Sequence, residues 1–352
     1  HFIFPKVIAI VRAILNPFVM IPLLFLGYKS IGMTIGTTII NLLCIGVNLF
    51  YCFKVLKIRI KFKKFDFKVL KEVSVYSYFI FLNIIVDKIY WATDQFILGS
   101  VSGTVAVAIY SVGSQMNTYY MSFSNAISGV FLPKVTKMVT NNVDDNILSN
   151  LFVRTGRIQY IIMSFILSGF ILFGYDFIKI WAGEEYGLAY FIDLVVMIPL
   201  TVPLIQNLGV SILQAKNIHR FRSNVYIAIA IINVIVSIPL AKMFGGIGAA
   251  WSTAISMIIG NVIINIYYYK KVHIDIKAFW INILKMSVPV LFSLAIGIVI
   301  NRVINIGGYI GIGIKGSIFS LIFFMLMWIM GMNEYEKNLF SRPFKILKNK
   351  LK

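Results

Sequence analysis

The chain has 352 residues, 59% of them hydrophobic and 13% charged, with a mean hydropathy of +0.86. Soluble domains carry about 25% charged residues, so this composition excludes an ordinary soluble fold and specifies an all-α polytopic membrane protein. The net charge of +20 does not point to nucleic acid, because most basic residues lie in short loops between apolar spans, where positive-inside topology accounts for them.

Ten stretches reach spanning length, at about 20 residues per 30 Å of hydrocarbon. They cover residues 7–26, 31–53, 74–98, 104–132, 151–173, 191–214, 223–241, 246–269, 279–300 and 309–331. The opening HFIFPKVIAIV has neither Met nor a signal-peptide pattern, and reads as a piece of a longer protein truncated at its N-terminus. Arg12 lies inside the first span, followed by Asn16-Pro17, where a proline frees backbone carbonyls. Cys44 and Cys52 lie in one apolar span and suggest neither a disulfide scaffold nor a metal site. Residues 54–72 carry eight Lys and Arg interleaved with Ile58, Ile60, Phe62, Phe65 and Phe67. This segment is expected to lie along anionic headgroups, or to serve only as a topology anchor.

The stretch Ser74 to Leu98 is the most informative. It is long enough to cross a bilayer, yet it contains Asp87, Lys88 and Asp94. Three such charges cost about 7–10 kcal/mol at the helix centre, and the twelve Leu, Ile, Val and Phe residues return only about 4–7. At 100° per residue, Asn83, Asp87, Lys88, Trp91, Asp94 and Gln95 share one arc, so this side needs other helices or a water-filled cavity. Asp94 is expected toward the outer mouth, within reach of outside water.

The next span carries a neutral polar stripe of Ser111, Ser114, Gln115, Thr118, Ser122 and Asn125, suited either to interhelical hydrogen bonding or to a hydrated wall. Arg154 and Arg157 open the span after it; they either bind an anion bidentately or mark the membrane boundary by snorkelling. Glu184–Glu185 in the loop 174–190 read as solvated carboxylates. Pro199 and Pro203 interrupt the span 191–214, where Gln206, Asn207 and Gln214 continue the polar theme; broken helices of this kind recur in transporters. Gly311, Gly313 and Gly316 match G-x-G-x-x-G, but inside an apolar span without a preceding strand, so no dinucleotide site is implied. Lys315 and Lys285 are expected to snorkel outward and inward.

Loops on one side hold 24 of the 33 Lys and Arg residues, and those on the other hold four. The basic side is therefore expected to be cytoplasmic, with both ends of the chain on it. The sequence has no P-loop, zinc-ligand cluster or nucleophile elbow, so neither ATP hydrolysis nor covalent chemistry is supported. The expectation is a non-enzyme without a bound cofactor.

The run DKIYWATDQFILGSVSGTVAVAIYSVGSQMNTYYMSFSNAISGVFLPKVTKMV, Asp87 to Val139, resembles bacterial polysaccharide-biosynthesis flippases. These are the O-antigen and capsule exporters of the multidrug/oligosaccharidyl-lipid/polysaccharide exporter superfamily. The shared features are an Asp-Lys or Asp-Gln pair, TDQFILG or TDKFILG, A-x-Y-S-x-G, and a Phe- and Ser-rich run ending FLP-x-V, with looser similarity reaching the opening LNPFVMIPLLFLGY. The resemblance implies the C-terminal part of a fourteen-helix protein built of two bundles. Residues 1–53 would close the N-terminal bundle, 54–72 form a linker and 73–269 the C-terminal six-helix bundle. Two additional helices would follow in 270–331, and a basic tail in 332–352.

It further implies movement of undecaprenyl-diphosphate-linked oligosaccharides across the bacterial inner membrane by alternating access, coupled to protons or sodium. On that basis Lys88 and Arg12 attract the diphosphate, and Asp87 and Asp94 hold those cations apart or bind the coupling ion. Asn83, Trp91, Gln115, Thr118, Tyr119 and Asn125 are candidates for sugar contact. Expected partners are the lipid-linked oligosaccharide, membrane lipids and other polysaccharide-assembly membrane proteins, with no nucleic acid. A lipid II or teichoic-type polymer exporter, a cation-coupled drug extruder and, from another class, a membrane glycosyltransferase or polymerase stand as alternatives.

Overall fold

The computed structural model describes residues 3–57, 67–141, 143–216, 218 and 220–341, and among these it is all-α. The alternating basic stretch 58–66 and the end of the tail lie outside the described residues. Ten helices follow one another: α1 (Ile3–Phe25), α2 (Lys29–Phe50), α3 (Phe67–Val101), α4 (Gly103–Thr140) and α5 (Asp145–Ala182), then α6 (Gly187–Ile205), α7 (Leu208–Ala215), α8 (Arg220–Lys271), α9 (Ile276–Val303) and α10 (Gly308–Leu326). Seven of the described helices are long and apolar enough to cross a membrane, and this is a multi-pass membrane protein. Helices α3 and α4, which hold the stretches 74–98 and 104–132 read as spans, are not among the seven, because their charges, hydroxyls and amides lower their hydropathy.

The chain divides into two compact units, His1–Ser77 and Tyr78–Lys352. In the first, α1 runs through Pro17 and Pro22 without interruption and packs on α2. Gly36 permits that contact, since a Cβ there would lie 2.8 Å from Leu23.

The second unit holds the larger core. Phe152, Ile161 and Met163 of α5 pack with Leu204 and Ile205 of α6, Tyr268 of α8 and Phe279 of α9 in one buried cluster. Rings of Phe165 and Phe173 on α5 meet Phe319 and Phe323 of α10, and so fix α10 on the bundle. Outward-facing Leu, Ile, Val and Phe remain exposed along most helices, as lipid contact requires.

Two interruptions position the functional region. The span 191–214 breaks at Gln206–Asn207, three residues beyond Pro203. Pro203 has no N–H for the carbonyl of Pro199, and Asn261 of α8 donates to that oxygen instead, at 3.3 Å. At the break itself the Leu204 carbonyl accepts from the Ser124 hydroxyl of α4 at 2.7 Å. Helix α8 is two spans folded at Gly245, whose φ of 58° favours glycine. Gly248 then sits against the Leu240 carbonyl, where no Cβ fits, and Ser252 donates to the Asn233 side chain at 2.8 Å across the hairpin.

Candidate functional site

A cavity of about 590 Å³ lies inside the second unit, between α3, α4, α6, α7 and α8. Lys88 reaches it from α3, Thr118 and Asn125 from α4, and Gln206 and Asn207 from the break between α6 and α7. Both arms of the α8 hairpin close it, through Arg222 and Tyr226 on the first and Asn261 and Tyr268 on the second. The described lining contains two cations and four carboxamides, but no carboxylate. Arg222 stacks its guanidinium 4.4 Å from the Tyr226 ring centre, which orients it.

The carboxamides are organised by one another. Asn207 donates to Asn125 Oδ1 at 2.8 Å and to Ser124 Oγ at 3.2 Å. Gln206 and Asn265 exchange hydrogen bonds at 2.8 and 3.1 Å, and Trp280 Nε1 adds a third to Asn265 Oδ1. Amides with both a donor and an acceptor, next to the Tyr226 and Tyr268 rings, suit a hydroxylated ring compound. Lys88 and Arg222 suit an anion.

Beyond the cavity along the same helices lies a second constellation. Asp94 is one and two-thirds turns past Lys88 on α3, about 9 Å of helix rise. It is only 2% exposed and so, contrary to expectation, does not reach outside water. Its Oδ2 accepts from the Tyr110 hydroxyl at 2.6 Å and from Thr253, and its Oδ1 from Ser237 at 3.1 Å. Asn233 Oδ1 completes the group through Ser252 and Thr253. Among the described residues no basic side chain pairs with Asp94. A buried acid surrounded by hydroxyl and carbonyl oxygens, and lacking a countercharge, suits a proton or a hard cation.

Of the residues singled out in the sequence, Lys88, Thr118 and Asn125 come together at the cavity. Gln115 and Tyr119 bond each other at 2.9 Å on an exposed face and do not line it. Arg12 belongs to the first unit, where it donates to Asn41 Oδ1 at 3.3 Å. The side chains of Asn83, Asp87 and Trp91 lie outside the described ones.

Three basic residues depart from expectation. Arg157 is not held open for an anion: it donates to both Glu336 oxygens at 2.6 and 2.8 Å, to Asn282 at 2.8 Å and to the Gly331 carbonyl at 2.9 Å. Arg154 lies 4.0 Å over the Tyr335 ring, so both arginines fasten the segment after α10. Lys315 does not snorkel; it is buried and donates to Asn301 Oδ1 at 3.0 Å, because the Asn301 amide already caps the Leu172 carbonyl and presents its oxygen inward.

Arg222 and Asn261 are the lining residues that sequence reasoning missed, whereas Gln206 and Asn207 were already noted for the polar theme of 191–214. For Arg222 the signal was the spacing Arg222, Tyr226, Asn233, Ser237, one helical face of a span otherwise read only as apolar.

The model of a family described as polysaccharide biosynthesis protein matches residues 2–191. The chain belongs to this polysaccharide biosynthesis family. Its match ends in α6, so Lys88 and Asp94 fall inside the matched stretch while Arg222 and Asn233 lie beyond it. A curated relative, the probable low-salt glycan biosynthesis flippase Agl15 of Haloferax volcanii, is 25% identical over 213 residues, 59% of this chain and 44% of the relative. The solved structure of the lipid II flippase MurJ in an inward closed conformation superposes with a TM-score of 0.70 at 17% identity, over 94% of this chain and 66% of that one. At that identity the likeness extends to the fold of this polysaccharide biosynthesis family member. The chain thus spans less than two thirds of the length of either protein.

Proposed function

We propose that the protein is a flippase for undecaprenyl-diphosphate-linked oligosaccharide, carrying the polar head through a hydrated cavity while the polyprenyl tail stays in lipid. The observation that carries this reading is the wall chemistry: two cations for the diphosphate, paired carboxamides and tyrosines for the sugars, and no described carboxylate to repel the head. The same wall disfavours a cation-coupled drug extruder, which would need acidic groups there. Family membership and the glycan-flippase relative support a lipid-linked glycan as cargo. The bilayer is the bacterial inner membrane, with the basic loops facing the cytoplasm.

Transport is ion-coupled in this reading, and Asp94 is the coupling acid. Its oxygen cage shares α3, α4 and α8 with the cavity, so a cation entering the cage draws those helices together and changes the cavity between them.

The test is a deletion strain complemented with full-length protein carrying Lys88→Met, Arg222→Met or both. Each charge-assisted contact is worth about 1.5–3 kcal/mol, so each single variant weakens head-group binding roughly 10–100-fold. The double variant is expected to leave lipid-linked repeat units trapped in the cytoplasmic leaflet. Normal surface glycan from the double variant at wild-type abundance refutes the assignment.

A further inference from the structure

A second buried acid lies outside both constellations. Asp193 on α6 is completely inaccessible, and neither of its carboxylate oxygens has a hydrogen-bond partner among the described residues. The polar side chain that faces it is Asn117 of α4, whose Oδ1 is buried and without a partner. The donor Asn117 offers is its amide N–H, and among the described residues neither a second donor nor a countercharge faces the carboxylate.

The enclosure is built by small residues. A Cβ on Gly113 of α4 would lie 3.1 Å from the Ala189 carbonyl and 3.5 Å from Asp193 Cβ, so the two backbones meet at the acid. On the α8 side, Gly246 lets the chain close over Ile192, 2.8 Å from where its Cβ would stand. Ile192 and Val196 continue the seal with Tyr110, Ala241 and Ala249.

The groups facing Asp193 are accounted for element by element. From α4 they are Asn117 and, one turn from Gly113, Tyr110, whose hydroxyl is spent on Asp94. Among the described residues no charged side chain of α4, α5 or α8 acts on Asp193. Its situation is the opposite of Asp94, which has three hydroxyl donors.

Three arrangements would satisfy such a pocket. A hard cation needs about six oxygen ligands, and the pocket supplies three. A trapped water would leave an ionised carboxylate in apolar surroundings with no countercharge, at a cost of several kcal/mol. One proton on the carboxyl removes the charge and supplies an O–H that the otherwise unpartnered Asn117 Oδ1 can accept.

We propose that Asp193 is a proton-binding site, loaded in this conformation and unloaded when α4 and α6 part. The path out is short: Leu200, two turns along α6 or about 10 Å, already lines the cavity, as does Thr118 beside Asn117. This deepens the transport reading, on which the role of the proton in coupling rests. It divides the labour between two acids, with Asp94 in an oxygen cage open to a metal cation or proton, and Asp193 open to a proton alone.

The test uses infrared spectroscopy of the purified full-length protein at neutral pH. A carboxylic-acid carbonyl band is expected that Asp193→Asn abolishes and that exposed Glu184→Gln leaves intact. Asn117→Val, which removes the acceptor but not the acid, is expected to move the same band to higher frequency. If Asp193→Asn does not fold, Asn117→Val decides alone: an unshifted or absent band overturns the proposal. Loss of ionised-carboxylate intensity in Asp193→Asn, in place of the acid band, overturns it as well.

A second arm reads the movement of fluorescent undecaprenyl-diphosphate-linked sugar in sodium-free vesicles under an imposed proton gradient. The gradient-dependent acceleration is expected to vanish in Asp193→Asn, and its full retention overturns the coupling role. The infrared arm involves no transport, so a failed flippase reading and a failed proton site are distinguishable.

Discussion

Replacing Arg157 by Met tests whether this arginine holds the fold or the cargo. Its side chain is 9% exposed and that of Glu336 is 0% exposed, so the pair sits where water cannot replace a lost partner. Breaking a buried pair from one side costs about 3–5 kcal/mol, because the surviving charge stays uncompensated. Here Glu336 would keep only the backbone N–H of Asn333, at 2.9 Å, and the Gly331 carbonyl would lose its donor too. Arg157→Met is therefore expected to lose about 3–5 kcal/mol in equilibrium unfolding from mixed micelles. Arg157→Met with Glu336→Leu removes both charges and is expected to recover most of that loss. Transport per folded molecule is expected to be unchanged in the double variant. A single-variant cost below about 1 kcal/mol, the value of an exposed pair, refutes the reasoning. So does a double variant whose cost is the sum of the singles.

Gly156 sits against the Phe279 ring and would place a Cβ 2.9 Å from the Ile205 carbonyl, whereas Gly169 on the same helix has open space. Gly156→Ala is expected to destabilise by about 1–3 kcal/mol through overpacking, and Gly169→Ala to be neutral or stabilising by up to about 1 kcal/mol. The same unfolding assay reads both, and equal effects would refute the close approach of α5 to α6 and α9. Lys315 is a buried cation whose described acceptor is one neutral amide, so Lys315→Met is expected to preserve or raise the thermal midpoint. A fall equivalent to more than about 1 kcal/mol would show that the ammonium has a stabilising partner.

The helices were legible because lipid demands long apolar runs, and even the fold in α8 falls between the two spans read as 223–241 and 246–269. Lys88, Thr118 and Asn125 were legible because each lies on a polar stripe with helical spacing. Arg222 was hidden by its place at a helix end, where it counted as one more topology charge. Asp193 was hidden by YFIDLVVMIPL, in which a single acid barely lowers the hydropathy of the run. Arg157 and Glu336 are 179 residues apart, and no local periodicity joins them. The oxygen cage of Asp94 depends on Ser237 and Thr253, which come together only once α8 has folded back. Pattern thus reveals which face is polar, while the partner of each polar group is set by tertiary approach.

The turn at Gly245 leaves α8 almost no slack between its arms. Ser237 from one arm and Thr253 from the other both donate to Asp94, while Ser252 and Thr253 reach across to Asn233 on the first arm. The arms also bring Arg222 and Asn261 to the cavity. A hairpin so short cannot slide one leg past the other, so it travels as a single paddle. Asp94 and Lys88 ride on α3, the opposing blade. Any motion that widens the cavity by swinging the paddle must also tug the hydroxyls off Asp94. Loading the acid and opening the chamber are then one mechanical coordinate, with no relay needed between them.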